Sequence, residues 1–244
     1  MRAVILGAGM GTRLRPMTKD LPKAFIPIDD EPIIYRSLRN LKSAGISDVV
    51  IVVGFMESYF KKNLGYDYNG INIKYVSNEE YETTGSMYSL SQTENIMDED
   101  ILLLESDLLY EKRALTDLID YPYPNVILTS SIRGSGDEVF IHTDDEGHLT
   151  NLGKDIDKQD ACCELVGISK LSLSFLEELY KKAKKDYHKG ERNYHYEEVI
   201  YKLSKDRPVK CFFMKNLIWT EIDTYEDLET AREDIYPKIK TKEE

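Results

Sequence analysis

The chain has 244 residues, with 32 Lys and Arg against 44 Asp and Glu, a formal net charge of −12. With 41% apolar and 10% aromatic residues it can build a packed core, and 14 glycines and 8 prolines exclude a collagen-like or low-complexity chain. The acidic surplus argues against a general nucleic-acid or anionic-membrane binder, because phosphate backbones select a basic face, but a small phosphorylated ligand held by local cations stays open.

The three cysteines, Cys162, Cys163 and Cys211, are odd in number and two are adjacent. They predict free thiols in a reducing cytosol rather than a disulfide framework. The N-terminus has one basic residue and a short apolar run that meets glycines, which is not a signal peptide. No apolar run approaches the ~18–20 residues of a membrane span. A cytoplasmic chain without membrane insertion is expected.

Apolar strand patterns fall at residues 3–6, 49–53, 71–76, 101–104 and 126–129. Several are continuously apolar, as central strands covered on both faces would be. Helix patterns at 31–44, 86–95 and 112–119 separate them. This alternation predicts an α/β fold with a mostly parallel sheet. After about residue 130 the spacing changes to shorter strands at 139–143, 149–152 and 165–171. A longer helix follows, for which Ser174 and Glu177 have capping-box spacing. A helix over 196–204, strands at 209–214 and 218–222, a helix near 226–235 and a frayed tail over 238–244 complete the expectation.

The most informative stretch is Leu6-Gly-Ala-Gly-Met-Gly-Thr-Arg-Leu-Arg-Pro-Met-Thr-Lys-Asp-Leu-Pro-Lys23, which follows the first strand. Gly7, Gly9 and Gly11 let backbone N–H groups approach an anion. No Gly-Lys-Ser/Thr follows, so this is not a Walker A loop, and Thr12 stands where a dinucleotide fingerprint wants glycine. Pro16, Pro22, Pro27 and Pro32 forbid an ordinary helix. What remains is a long irregular loop carrying Arg13, Arg15, Lys19 and Lys23, a cationic island in an acidic chain.

The pattern Gly-Xaa-Gly-Thr-Arg-Leu-Xaa-Pro-Xaa-Thr followed by Pro-Lys resembles the signature of sugar-phosphate and amino-alcohol-phosphate nucleotidyltransferases. One departure is Gly7, where the family more often has alanine. The resemblance implies a Rossmann-like, mixed but mostly parallel sheet flanked by helices, the nucleotide-diphospho-sugar transferase fold, with a small acceptor-binding lobe. It implies a single domain over 1–244, a nucleotide-binding core over about 1–130 and an acceptor lobe over about 131–223. The phosphates would lie in the loop formed by Leu6, Gly7, Ala8, Gly9, Met10, Gly11 and Thr12. Arg13 would neutralise the departing pyrophosphate, and Lys23 would meet the α-phosphate and the acceptor anion.

The strand at 101–104 runs into Glu105 and Asp107, at the sheet edge where such folds bind ligands. In the family the aspartate at the Asp107 position holds Mg²⁺, and a late strand supplies a second ligand, here Asp223. Glu221 lies on the same strand face and competes for that role. Thr84, Gly85 and Ser86 precede a helix and can offer hydrogen bonds to a base edge.

Several further segments narrow the resemblance: Thr84-Gly-Ser-Met, Ser135-Gly-Asp-Glu-Val139, Glu164-Leu-Val-Gly-Ile-Ser-Lys-Leu171 and Trp219-Thr-Glu-Ile-Asp223. Together they are similar to 2-aminoethylphosphonate cytidylyltransferases and their relatives acting on phosphocholine or phosphoethanolamine, over roughly residues 2–237. The implied substrates are CTP and a small zwitterionic phosphonate or phosphate ester, with Mg²⁺ as cofactor, in a monomer or homodimer. Asp137, Glu138 and Glu164 are candidates for the acceptor's amine, as charge-assisted acceptors. Tyr194, Tyr196 and Trp219 could instead face a quaternary ammonium, and Tyr196-Glu197 resembles part of the acceptor region. Asp107 would touch the acceptor as well as the metal.

The nucleophile is already an anion, so no general base is needed, and His142, His148, His188 and His195 read as surface or structural residues. A hexose-1-phosphate nucleotidyltransferase is weakened by the short length and the acidic Ser-Gly-Asp-Glu segment. A non-enzymatic nucleotide sensor could have lost Arg13, Lys23 or Asp107, and all three are present.

Overall fold

The computed structural model describes residues 1–243, and Glu244 lies outside them. Four strands form its parallel heart: Arg2–Gly7, Asp48–Val53, Ile71–Ser77 and Ile101–Glu105. Arg2–Gly7 lies between Asp48–Val53 and Ile101–Glu105, and Ile71–Ser77 flanks Asp48–Val53. The chain therefore winds outward from the first strand and returns on its other side. Cys163–Leu171 continues the sheet antiparallel to Ile101–Glu105. Its other edge takes Val126–Ser130, which pairs in parallel with Lys210–Phe213. Phe140–Thr143 and Leu149–Gly153 extend from the first residues of Cys163–Leu171 as an antiparallel flap.

The apolar strands are buried because helices cover both faces. Strand alternation sends Ala3 and Ile5 into one core with Leu38, Leu41 and Phe60, and Val4 into the other with Phe175 and Leu179. The covering helices include Ile33–Ser43, Glu57–Leu64 and Arg113–Asp120 on one side, and Leu173–Tyr187 and Tyr196–Ser204 on the other. Among the described residues no helix is long and apolar enough to cross a membrane.

A third apolar cluster holds the cationic loop. Leu14, Ile26, Ile28 and Ile33 pack with Leu109, Ile222, Leu228 and Ile239. The loop itself folds as three single 3₁₀ turns, Thr12–Leu14, Met17–Lys19 and Lys23–Phe25, with Pro16 and Pro22 each preceding one. A short antiparallel ladder completes the region, pairing Trp219 with Tyr110, Thr220 with Leu109 and Glu221 with Leu108.

Two expectations need correction. The long helix is capped by Ser172, not Ser174: the Phe175 N–H donates to Ser172 Oγ at 3.3 Å, and Ser172 still has extended backbone. Ser172 is further held by Asn125 Oδ1, which accepts from its N–H and hydroxyl at 3.0 Å. The tail is helical over Tyr236–Glu243, because Ile239 is fully buried in the third cluster. Glu57–Leu64 went unpredicted; it is short, and its apolar stripe is only Phe60 and Leu64. The helix over 31–44 begins at Ile33, after Pro32.

Candidate active site

A cavity of about 460 Å³ opens at the C-terminal ends of Arg2–Gly7 and Ile101–Glu105. Here the strand order reverses, and open α/β sheets bind ligands at such a crevice. The glycine loop forms one wall with Leu6, Gly7, Ala8, Gly9, Gly11 and Thr12; Met10 does not line the cavity. Gly11 has φ of +58°, and a Cβ there would stand 3.2 Å from the Lys23 and Thr18 side chains. Glycine thus lets the Lys23 stem pass behind the loop, while Thr18 Oγ1 donates to the Gly11 carbonyl at 2.7 Å.

The ladder between Trp219–Glu221 and Leu108–Tyr110 brings the carboxylates together. It continues as the Ile222 N–H donates to the Asp107 carbonyl at 3.1 Å. Lys23 Nζ then lies 2.5 Å from Asp107 Oδ2 and also pairs with Asp223 Oδ1. Arg13 donates to Asp223 Oδ2 at 2.5 Å and to Asp137 Oδ2 at 2.6 Å. Lys154 closes on the other Asp137 oxygen. Burial works against charge on both Lys23 and Asp223, and their attraction outweighs it. Lys23 is held above the usual lysine range by Asp107 and Asp223, and Asp223 below the usual carboxylate range by Lys23 and Arg13.

The remaining carboxylates go the other way. Burial and the neighbouring Asp107 push Glu105 well up, and the same causes with Glu105 push Glu221 up to about 10. Carboxylate oxygens of Glu105, Asp107 and Glu221 lie within 4.8 Å of one another. Asp107 Oδ1 is buried without a hydrogen-bond partner. Crowded, under-neutralised oxygen donors of this kind suit a hard divalent cation such as Mg²⁺. Asp107, the expected metal ligand, is one of the three. Asp223 is turned to Lys23 and Arg13, and Glu221 stands in the group.

Thr84, Gly85 and Ser86 also line the cavity. The segment ahead of Tyr196–Ser204 holds them. Gly85 N–H donates to the Arg192 carbonyl at 3.0 Å, and a Cβ at Gly85 would fall 2.0 Å from the Tyr194 oxygen. Ser86 Oγ accepts from the Tyr196 N–H at 3.1 Å and lies 3.2 Å from His195 Nδ1. His195 lines the cavity, is exposed, and stands at the start of the helix, where its N–H donates to Glu198 Oε1 at 2.9 Å. Only the fold sets it against Ser86.

Of the residues expected to meet the acceptor, Asp107, Asp137, Glu138 and Glu197 line the cavity, while Glu164, Tyr196 and Trp219 lie behind its wall. Tyr196 is fully buried and donates from its hydroxyl to Glu105 Oε1 at 2.8 Å. Glu164 and Trp219 both hold Arg133, a cavity residue that no sequence motif marked. Tyr81 and Lys154 also line the cavity and were not anticipated.

The family model described as nucleotidyl transferase matches residues 2–123, which contain the glycine loop, Lys23 and Asp107. The chain belongs to the nucleotidyl transferase family. It is 31% identical over 155 residues to the CMP-5'-(3-aminopropyl)phosphonate synthase of Streptomyces rubellomurinus, covering 64% of this chain and 25% of that protein. It is 32% identical over 126 residues to the choline-phosphate cytidylyltransferase of Streptococcus pneumoniae, covering 52% and 53%. The matches thus span a quarter to about half of these relatives' lengths. Among solved structures, the fold superposes on the CTP:phosphocholine cytidylyltransferase of Streptococcus pneumoniae with a TM-score of 0.79 at 23% identity, covering 95% of this chain and 97% of that one. The inositol-1-phosphate CTP transferase of T. maritima gives 0.80 at 24%, covering 98% and 96%. These likenesses confirm the expected fold.

Proposed function

We propose that this chain is a cytidylyltransferase that transfers CMP from CTP to a small acceptor bearing a primary ammonium, 2-aminoethylphosphonate first among them, with release of pyrophosphate. The observation that carries the acceptor reading is a pair of buried carboxylates. Glu138 and Glu197 line the cavity, are each only 8% exposed, and keep Oε1 and Oε2 respectively without a partner. A primary ammonium brings three N–H donors to such oxygens. A trimethylammonium has none and wants aromatic faces. Tyr194, Tyr196 and Trp219 do not line the cavity, and Tyr81 is the aromatic that does among the described residues. A phosphocholine acceptor is the second reading, favoured by the similarity to the choline-phosphate enzyme.

In the reaction, an anionic oxygen of the acceptor forms a bond to the α-phosphorus of CTP. The bond from that phosphorus to the α–β bridging oxygen breaks, and its electron pair leaves with pyrophosphate. No proton need be removed, so the chain's task is positioning and charge neutralisation. Lys23 sits between the two aspartates at the cavity floor and brings one positive charge to two repelling anions. Arg13, at the cavity mouth, has a guanidinium that can exchange its aspartates for β- and γ-phosphate oxygens. Backbone N–H groups of Gly9, Gly11 and Thr12 cradle the phosphates, and Thr84, Gly85 and Ser86 face the base. Asp107, with Asp223 or Glu221, would hold Mg²⁺, which when bound offsets charge on the phosphate oxygens.

Pyrophosphate release with CTP tests this against 2-aminoethylphosphonate, phosphoethanolamine, phosphocholine and hexose 1-phosphates. Turnover is expected first with the primary amines, and preference for a sugar phosphate would sink the reading. Lys23→Ala and Asp107→Asn should each remain folded and lose turnover. A folded Asp107→Asn protein with a near-wild-type rate at saturating CTP and Mg²⁺ would remove the charge-neutralising role.

A further inference from the structure

Four cations line the cavity: Arg13, Lys23, Arg133 and Lys154. Three are engaged with aspartates that themselves line it, Asp107, Asp137 and Asp223. Arg133 is held differently, from behind the wall. Its Nε donates to Glu164 Oε1 at 2.6 Å, and its backbone N–H donates to Glu164 Oε2 at 3.2 Å. Its Nη1 donates to Thr220 Oγ1 at 2.7 Å, and the guanidinium carbon lies 3.8 Å from the centre of the Trp219 ring. Glu164 has no exposed surface and Trp219 is 3% exposed, so neither anchor faces the cavity. Among the described residues Nη2 has no partner.

That arrangement presents a guanidinium fixed on one edge and one face, with the remaining donors left to the cavity. A planar fork of this kind binds a tetrahedral oxyanion with little further loss of freedom. A guanidinium that served only to neutralise Glu164 would need no seat in the cavity wall. The anchors sit on the elements that build the reaction floor. Trp219 and Thr220 belong to the strand that carries Glu221, and Glu164 precedes the wall residues Leu165, Val166 and Gly167.

We infer that Arg133 is a second binding residue, beside Lys23, for the acceptor's phosphonate or phosphate oxygens, with Glu164, Thr220 and Trp219 as its positioning residues. This rests on the transfer reaction proposed above and adds a group that receives the acceptor's anionic end. The ammonium end would meet Glu138 and Glu197, which line the same cavity, so the acceptor is gripped at both ends.

The test compares wild type, Arg133→Lys, Arg133→Ala and the double variant Arg133→Met/Glu164→Gln, which leaves no unpaired buried carboxylate if the single alanine fails to fold. Steady-state pyrophosphate release is measured with CTP and whichever phosphonate or phosphate ester the panel shows to be turned over. Loss of Arg133 is expected to raise the acceptor KM at least tenfold and leave the CTP KM within twofold, with partial recovery in Arg133→Lys. Parallel changes in both KM values, or no change in either, overturn the inference. A calorimetric titration of inorganic phosphate into protein saturated with α,β-methylene-CTP, which fills the triphosphate subsite, reads the same site without turnover. Binding weakened at least tenfold in the double variant supports it, and equal binding overturns it. The phosphate titration and the split between KM values do not depend on an amine, so failure of the primary-amine reading stays separate.

Discussion

Gly85→Ala tests whether the base-facing segment and the acceptor helix act as one unit. The backbone at Gly85 is extended, with φ of −88°, so alanine meets no torsional strain there. The obstacle is steric. The new Cβ would fall 2.0 Å from the Tyr194 carbonyl oxygen and 2.6 Å from its carbon, both backbone atoms. Real contacts of this type lie beyond 3.0 Å, so the two segments must part by about 1 Å. Four hydrogen bonds cross this seam: Gly85 N–H to Arg192 O, Met87 N–H to Tyr194 O, Tyr196 N–H to Ser86 Oγ, and the Ser86 hydroxyl with His195 Nδ1. At about 1 kcal/mol net for each bond, losing most of them costs roughly 3 kcal/mol. For a chain of this size that lowers Tm by roughly 6–12 °C. Thermal unfolding followed by circular dichroism reads the shift, and steady-state assays should show higher KM for both CTP and acceptor. Gly9→Ala is the control for stability, since a Cβ there meets nothing within 4 Å. A Gly85→Ala protein with Tm within 2 °C of wild type and both KM values unchanged would refute the coupling.

Capping and thiol reactivity give two further tests. Ser172→Ala should cost about 1 kcal/mol, a typical N-cap loss, and Ser174→Ala less than half of that in the same denaturant titration; equal effects would return the cap to Ser174. With iodoacetamide at pH 8, mass spectrometry should find Cys162 labelled first, because it is exposed, whereas burial pushes the Cys163 thiol up to about 12 and that of Cys211 higher still. Cys163 labelled as fast as Cys162 in folded protein would contradict that environment.

The parallel heart and the phosphate loop were legible because their signals are local. Continuous apolar runs mark strands covered on both faces, and the glycines and prolines around Arg13 and Lys23 allow little besides an irregular loop. The meeting of Asp107 with the Glu221–Asp223 segment was expected only through a family resemblance. It depends on a three-residue ladder whose partners carry no mutual signal in sequence. Arg133 was invisible for a related reason. Its anchors, Glu164, Thr220 and Trp219, come from two distant strands, and two of them had been read as acceptor ligands in their own right. The cap was misplaced by two residues because Ser172 and Ser174 both suit the role, and Asn125 decides between them. The tail looked like a solvated charge run because a single buried isoleucine, Ile239, anchors it.

The Leu108–Tyr110 ladder also sets the order in which the site can be completed. The glycine loop, Lys23 and Asp107 leave the ribosome well before Trp219. Asp107 and Asp223 are 223 − 107 = 116 positions apart, so their juxtaposition is among the costly long-range closures that form late. A chain interrupted before Trp219 contains the sequence of all four parallel strands but lacks both Glu221 and Asp223. Lys23 would be left with Asp107 alone, and Arg133 without the indole and hydroxyl that hold it.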